Sequence, residues 1–127
     1  MIRIAIDGPG GAGKSTIAKL VGDKLGLEYI DTGAMYRAVG LKLNRKGIKP
    51  DDLISISNVL EETTIDFVNG KIILDGDDVS DIIRTQEISK FASIYSQIPE
   101  VRSKLVDIQR RIAAGKSVIM DGRDIGT

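Results

Sequence analysis

The residues with the clearest chemical potential form a glycine-rich segment near the N-terminus, which reads Gly8-Pro9-Gly10-Gly11-Ala12-Gly13-Lys14-Ser15 and continues into Thr16. The segment fits the pattern G-x-x-x-x-G-K-[ST] and lies between a predicted strand and a predicted helix. Glycines let successive backbone N–H groups approach phosphate oxygens closely. Lys14 would then reach the β and γ phosphates, and the Ser15 hydroxyl would bind Mg²⁺. The pattern predicts a phosphate site for ATP or GTP over residues 8–16; the alternative is a flexible turn with an incidental lysine.

Further polar side chains follow the predicted strands, at Asp7, at Asp31 and Thr32, and over residues 121–124. Ligands of open α/β sheets bind beyond the carboxyl ends of the strands. Arg37 and Arg123 could hold a second phosphate there, because guanidinium makes bidentate contacts with phosphate oxygens. Asp121, after three apolar residues, is a candidate Mg²⁺ ligand, or alternatively a structural cap. Two phosphate sites together predict phosphoryl transfer.

Each of these side chains also has a structural interpretation. Arg37 could be a solvated charge on a helix, and Arg123 could pair with its acidic neighbours. Tyr36 could belong to the core or could pack against a base or ribose. The spacing of apolar residues around Arg102 favours a surface position on an amphipathic helix.

The elements that must position these residues alternate between strands and helices. Ile2, Ile4 and Ile6 alternate as in a strand, and helical spacing follows over 14–25 with Gly26 as a stop. The Asn69-Gly70 pair lies between two alternating runs, which predicts a hairpin over 64–75 with a type I′ turn. The remaining predictions are a strand at 27–30, a helix from about 33 to 47 capped by Asp31 or Thr32, a helix at 51–62, a third short strand near Val79, helices around 83–92 and 99–115, and a strand at 118–120.

Composition excludes several classes of function. The 127 residues contain no Cys and no His, which rules out disulfides, thiolate nucleophiles, imidazole bases and His/Cys zinc sites. The 18 basic residues equal the 18 acidic ones in number, so sequence-independent binding to nucleic acid or to a membrane surface is not expected. No apolar run approaches the roughly 20 residues of a membrane span. The default expectation is a cytoplasmic chain that forms one domain or part of one.

Four segments resemble the bacterial-type cytidylate kinases, within the nucleoside monophosphate kinase group of P-loop proteins. They are Ile-Asp-Gly-Pro-Gly-Gly-Ala-Gly-Lys-Ser-Thr (6–16), Asp-Thr-Gly-Ala-Met-Tyr-Arg (31–37), Ile-Arg-Thr-Gln-Glu (83–87) and Asp-Gly-Arg-Asp-Ile-Gly-Thr (121–127). The segments span essentially the whole chain, and the last is more specific than the glycine-rich loop. The chain is similar to the N-terminal part of these enzymes.

The resemblance implies a role for individual residues. The residues implied for CMP are Thr32, Arg37 and Arg123 at the phosphate, Ser93, Arg102 and Asp124 at the cytosine edge, and Tyr36 in the pocket lining. Lys14 and Arg123 would be catalytic, residues 8–16 would bind ATP, and Ser15 and Asp121 would hold Mg²⁺. For Arg102 this replaces the surface interpretation, which rested on periodicity alone.

The fold implied is α/β, a P-loop three-layer α/β/α core with an incomplete parallel sheet. The core would comprise 1–62 and 99–127, and 63–98 would be a small α+β monophosphate-binding insert that contains the hairpin and moves as substrate binds. The implied reaction is phosphoryl transfer from Mg-ATP to CMP or dCMP, giving CDP or dCDP and ADP, by a cytoplasmic monomer of pyrimidine metabolism. Its partners would be these nucleotides, with neither nucleic acid nor membrane.

Two other functions stay open. One is a kinase of another small acceptor, such as AMP, UMP or shikimate, on the same fold. The other is a nucleotide-binding module without catalysis; a GTPase-like switch is disfavoured, because no asparagine in the chain is followed by lysine as the N-K-x-D signature requires. Family members continue well beyond Thr127, so we expect these 127 residues alone to be catalytically poor.

Overall fold

The computed structural model describes residues 3–7 and 14–122. For residues 3, 5–7, 14–15 and 121–122 it describes only the backbone. The strands are β1 (Arg3–Asp7), β2 (Glu28–Asp31), β3 (Ile65–Val68), β4 (Lys71–Leu74), β5 (Asp77–Asp78) and β6 (Val118–Gly122). The helices are α1 (Lys14–Leu25), α2 (Thr32–Arg45), α3 (Leu53–Glu61), α4 (Gln86–Tyr95) and α5 (Pro99–Gly115), with a short 3₁₀ helix at Ile82–Arg84. These elements match the sequence predictions to within a few residues at their ends.

The first sheet is parallel and has the order β1-β6-β2. The last described strand, β6, therefore lies between the two N-terminal strands. Its register places Asp121 opposite Ile6 on one side and opposite Asp31 on the other. The carboxyl ends of all three strands consequently meet at one edge of the sheet.

Helices cover both faces of this sheet, and the alternation of side chains along β6 explains how. Val118 and Met120 point into the large core formed with α2 and α5, whereas Ile119 points to the opposite face, against Ala18 of α1. Side chains of successive strand residues point to opposite faces of the sheet, so β6 packs against helices on both faces. The three-layer α/β/α prediction is confirmed.

The second sheet is antiparallel, in the order β3-β4-β5. Val68 pairs with Lys71 at the hairpin end, leaving Asn69 and Gly70 as the turn, with φ of 52° and 78°. Both values are positive, as a type I′ turn requires, and the hairpin prediction is confirmed. Its buried residues, among them Phe67, belong to the same large core as α2 and α5.

Helix α1 carries an apolar face that the described residues leave open. Ile17 is 54% exposed and Leu20 64% exposed, while Ala18 is fully buried against the sheet. Among the described strands, β1 pairs only with β6, so its other edge has no described partner. The apolar spacing correctly predicted the helix, although three of the residues that produce it, Ile17, Leu20 and Leu25, are exposed.

No helix within 14–115, the described helical part of the chain, is long and apolar enough to cross a membrane.

Candidate nucleotide site at the carboxyl edge of the parallel sheet

The glycine-rich segment joins β1 to α1. Residues Gly8–Gly13 lie outside the described residues, whereas the backbone of Lys14 and Ser15 forms the first turn of α1. The N–H groups of a helix's first turn have no intrahelical partner, and the helix dipole adds partial positive charge there. Asp121, the penultimate residue of β6, lies on the strand next to β1. This backbone arrangement is compatible with the predicted phosphate site at the start of α1, whereas the Mg²⁺ roles of Ser15 and Asp121 stay predictions.

Arg123 and Asp124, predicted at the acceptor phosphate and cytosine, lie outside the described residues. Their predicted roles stay predictions. The strand that leads to them is described as far as Gly122, which pairs with Asp7 at the carboxyl edge.

A pocket of about 70 Å³ lies beside this edge, at the end of β2. Its polar lining includes three cationic side chains, Lys19, Arg37 and Arg84, and one carboxylate, Asp31. No ion pair joins Arg37 or Arg84 to a carboxylate within the described segments. Three cations around one carboxylate make the pocket electropositive, which favours an anionic ligand such as a phosphomonoester.

Asp31 and Arg37 face each other across Gly33 at the start of α2. The Asp31 carboxylate accepts the backbone N–H of Ala34 at 3.1 Å and so caps the helix, a role for which the sequence left Asp31 and Thr32 as alternatives. A side-chain carbon at Gly33 would lie 3.3 Å from Asp31 Oδ1 and 3.9 Å from the Arg37 guanidinium. The glycine therefore leaves open the space between the two charged groups.

The other two predicted site residues of α2, Thr32 and Tyr36, lie away from the pocket that Arg37 lines. Thr32 is buried in the first turn, and the half-buried Tyr36 packs against the large core. Neither lines the pocket that contains Arg37. For Tyr36 this geometry favours core packing, which the sequence kept as an alternative to substrate contact.

Ser93 and Arg102, predicted at the cytosine edge, are exposed on α4 and α5. Neither contributes to the pocket at Arg37. Helix α4 is nevertheless fixed tightly against α2, because Gly40 allows the backbone of Ala92, next to Ser93, to approach. The buried Tyr95 hydroxyl donates a hydrogen bond to the carbonyl of Ile48, and burial raises the pKa of Tyr95.

Three charged contacts attach the second sheet to the core. Lys42 of α2 forms an ion pair with Asp75 at 2.6 Å, and Lys116 forms one with Asp66 at 3.2 Å. Glu28 of β2 accepts hydrogen bonds from the hairpin turn. Partial burial raises the pKa of Asp75, but hydrogen bonds from Lys42 and Thr64 outweigh it and hold the pKa below its ordinary value.

Sequence reasoning did not nominate Lys19 or Arg84 as ligand-binding residues. Arg84 lies inside the segment 83–87, which was singled out without a role, and the 3₁₀ helix delivers it to the pocket. Nothing in the local sequence distinguishes Lys19 from other exposed cations of α1; its place above the Tyr29 ring, 5.6 Å from the centroid, follows from packing alone.

A scan against family models matches residues 4–127 to the family described as cytidylate kinase. The chain belongs to the cytidylate kinase family. Among the similar curated proteins are the cytidylate kinases of Caldanaerobacter subterraneus subsp. tengcongensis, 55% identical over 126 residues, Caldicellulosiruptor bescii, 55% identical over 130 residues, and Clostridium tetani, 49% identical over 126 residues. Each alignment covers 99% of this chain.

The chain spans only part of these relatives, 56% of the length of the first and third and 58% of the second. The family membership thus confirms the resemblance seen in the sequence.

Proposed function

We propose that the whole protein transfers the γ-phosphoryl group of Mg-ATP to CMP or dCMP, giving ADP and CDP or dCDP. The observation that carries the proposal is the electropositive pocket at the end of β2, at the carboxyl edge of the sheet that also contains the end of β1. Phosphoryl transfer between two nucleotides needs two anion sites next to each other. The names of the relatives support a nucleoside monophosphate kinase that uses CMP.

The chemistry proposed is positioning plus charge stabilisation. The loop amides and Lys14 bind the triphosphate, and Arg37 with Arg123 orients the acceptor phosphate for in-line attack. Ser15 and Asp121 would hold Mg²⁺, which neutralises charge on the transferred group. A phosphate monoester is already an anion near pH 7, so no general base is required, in keeping with the absence of histidine.

The acceptor assignment is tested with Arg37→Ala in the full-length protein. Loss of a charge-assisted contact costs about 1.5–3 kcal/mol, which raises the KM for CMP about 10- to 100-fold with little change in the KM for ATP. Arg45→Ala, an exposed arginine in the last turn of the same helix, is the matched control and should leave both constants unchanged.

Parallel assays with CMP, dCMP, UMP and AMP test the acceptor directly. Preference for AMP or UMP would replace the proposal by the kinase of another acceptor. ATP binding without turnover on any acceptor would favour the binding module. For a true kinase, Lys14→Ala should lower turnover by several orders of magnitude while the fold persists.

We further propose that a polypeptide limited to these 127 residues is catalytically poor. The support is the greater length of the relatives and the open apolar face of α1 at Ile17 and Leu20. Comparison of kcat between such a polypeptide and the full-length protein tests this. Equal turnover would refute it.

A further inference from the structure

Glu28 reaches from the first residue of β2 to the turn of the β3–β4 hairpin. Its Oε1 accepts the backbone N–H of Asn69 at 3.1 Å, and its Oε2 accepts that of Gly70 at 3.2 Å. The two donors are the central residues of the hairpin turn and lie outside the β3–β4 ladder, which ends at the pair Val68 and Lys71. One carboxylate therefore satisfies two consecutive amides that the hairpin itself leaves unpaired.

The same turn forms part of the wall of the pocket at Arg37. Gly70 lines that pocket together with Phe67 and Ile72 of the hairpin strands. Tyr29 and Asp31, on the strand that Glu28 begins, also line it. The contact that Glu28 makes therefore joins two elements, β2 and the hairpin, that line the same pocket.

A second contact holds the hairpin from a neighbouring position. Lys116 donates to the Asp66 carboxylate at 3.2 Å and to the carbonyl of Phe67 at 2.8 Å. Lys116 precedes Ser117, whose carbonyl accepts the N–H of Glu28 at 3.0 Å. Glu28 therefore contacts the hairpin turn and Lys116 contacts β3. The two residues lie close together, at the N-terminal ends of β2 and β6.

We infer that Glu28 is a positioning residue for the acceptor: by holding the Asn69-Gly70 turn, its carboxylate sets the wall that encloses the acceptor monophosphate next to Arg37. The inference rests on the proposed function, because it assigns the pocket to the acceptor. A carboxylate suits the task, since it offers two charged acceptor atoms to two N–H donors, and such charge-assisted bonds are about twice as strong as neutral ones.

The test compares Glu28→Gln with Glu28→Asp in the full-length protein. A carboxamide keeps the shape but presents one acceptor and one NH₂ donor, so one turn amide loses its partner. We expect Glu28→Gln to raise the Kd and KM for CMP about tenfold, with the KM for ATP unchanged, and to accelerate hydrogen exchange at the amides of Asn69 and Gly70. Glu28→Asp retains the charge, but its side chain is one methylene shorter and withdraws from both amides, so it should raise the Kd and KM for CMP at least as much. Glu61→Gln, at an exposed acid at the end of α3, is the control and should change none of these quantities.

The outcomes separate this inference from the proposed function. Faster exchange at the turn with unchanged CMP binding would overturn the inference, because Glu28 would then only stabilise the hairpin. Equal rises in KM for CMP and ATP would overturn it as well. If the wild-type protein uses another monophosphate, the proposed function fails, and the inference is judged by the KM for that acceptor. Absence of any monophosphate binding by the wild-type protein would refute both.

Discussion

The close contact between α2 and α4 at Gly40 predicts that Gly40→Ala destabilises the protein. Two opposing effects, helix propensity and overpacking, decide the change in the free energy of unfolding. A Cβ at Gly40 would lie 3.1 Å from the backbone nitrogen of Ala92 and 3.3 Å from its Cα and from the carbonyl carbon of Phe91. All three are backbone atoms of a packed helix and cannot rotate away. Gly40→Ala therefore forces α2 and α4 apart.

The size of the destabilisation is the cost of overpacking minus the gain in helix propensity. Alanine in place of glycine stabilises a helix interior by about 1 kcal/mol. Overpacking of a tight contact costs about 1–3 kcal/mol. We therefore expect Gly40→Ala to lower the free energy of unfolding by about 1 kcal/mol, which at a urea m-value of about 2 kcal/mol/M lowers the midpoint by about 0.5 M.

Gly115→Ala is the matched control, because it makes the same chemical change in a helix where a Cβ meets nothing within 4 Å. It should leave stability unchanged or raise it by less than about 1 kcal/mol. Urea unfolding followed by circular dichroism measures both variants. If Gly40→Ala instead raised the free energy of unfolding by about 1 kcal/mol, as expected where a Cβ meets no neighbour, the close approach of the two helices would be wrong.

Three further predictions concern the caps, the turn and the ion pair described above. Asp31→Ala should destabilise the protein by about 1 kcal/mol through loss of the α2 cap, which thermal unfolding would detect as a lower Tm; an unchanged Tm would contradict the capping role. Gly70→Ala should cost about 1–2 kcal/mol in urea unfolding, because φ is 78° there, whereas equal stability would refute the turn geometry. Lys42 holds the pKa of Asp75 below its ordinary value of 3.8, so the ionised carboxylate stabilises the folded protein above pH 3.8 and this stabilisation is lost as the pH falls through the lowered pKa. Asp75→Asn should make the free energy of unfolding less dependent on pH in this acid range, which urea unfolding at several pH values measures.

Much of the local structure followed from the sequence. The Asn69-Gly70 pair indicated the hairpin turn, because its two residues tolerate positive φ, and Pro99 and Gly115 marked both ends of α5. The glycine-rich segment was placed between a strand and a helix by periodicity alone. These features depend on interactions between residues a few positions apart, which a sequence displays directly.

The candidate pocket was only partly predictable. Arg37 was nominated because it follows a strand end by one helical turn, and it does line the pocket. Arg84 and Lys19 were not nominated, because each looks like an ordinary exposed cation in its own segment. Their common location depends on how the 3₁₀ helix and α1 pack around β2, and no local pattern encodes that.

The sequence by itself determined the elements, the phosphate-binding pattern and the family. Only the tertiary structure decided that β6 lies between β1 and β2, which brings Asp121 into register with Ile6 and Asp31. It also decided that Glu28 meets a turn 41 and 42 residues further along the chain. The physical reason is that helices, caps and turns are stabilised by neighbours in sequence, whereas strand order and side-chain contacts between distant segments are selected by burial of the whole core.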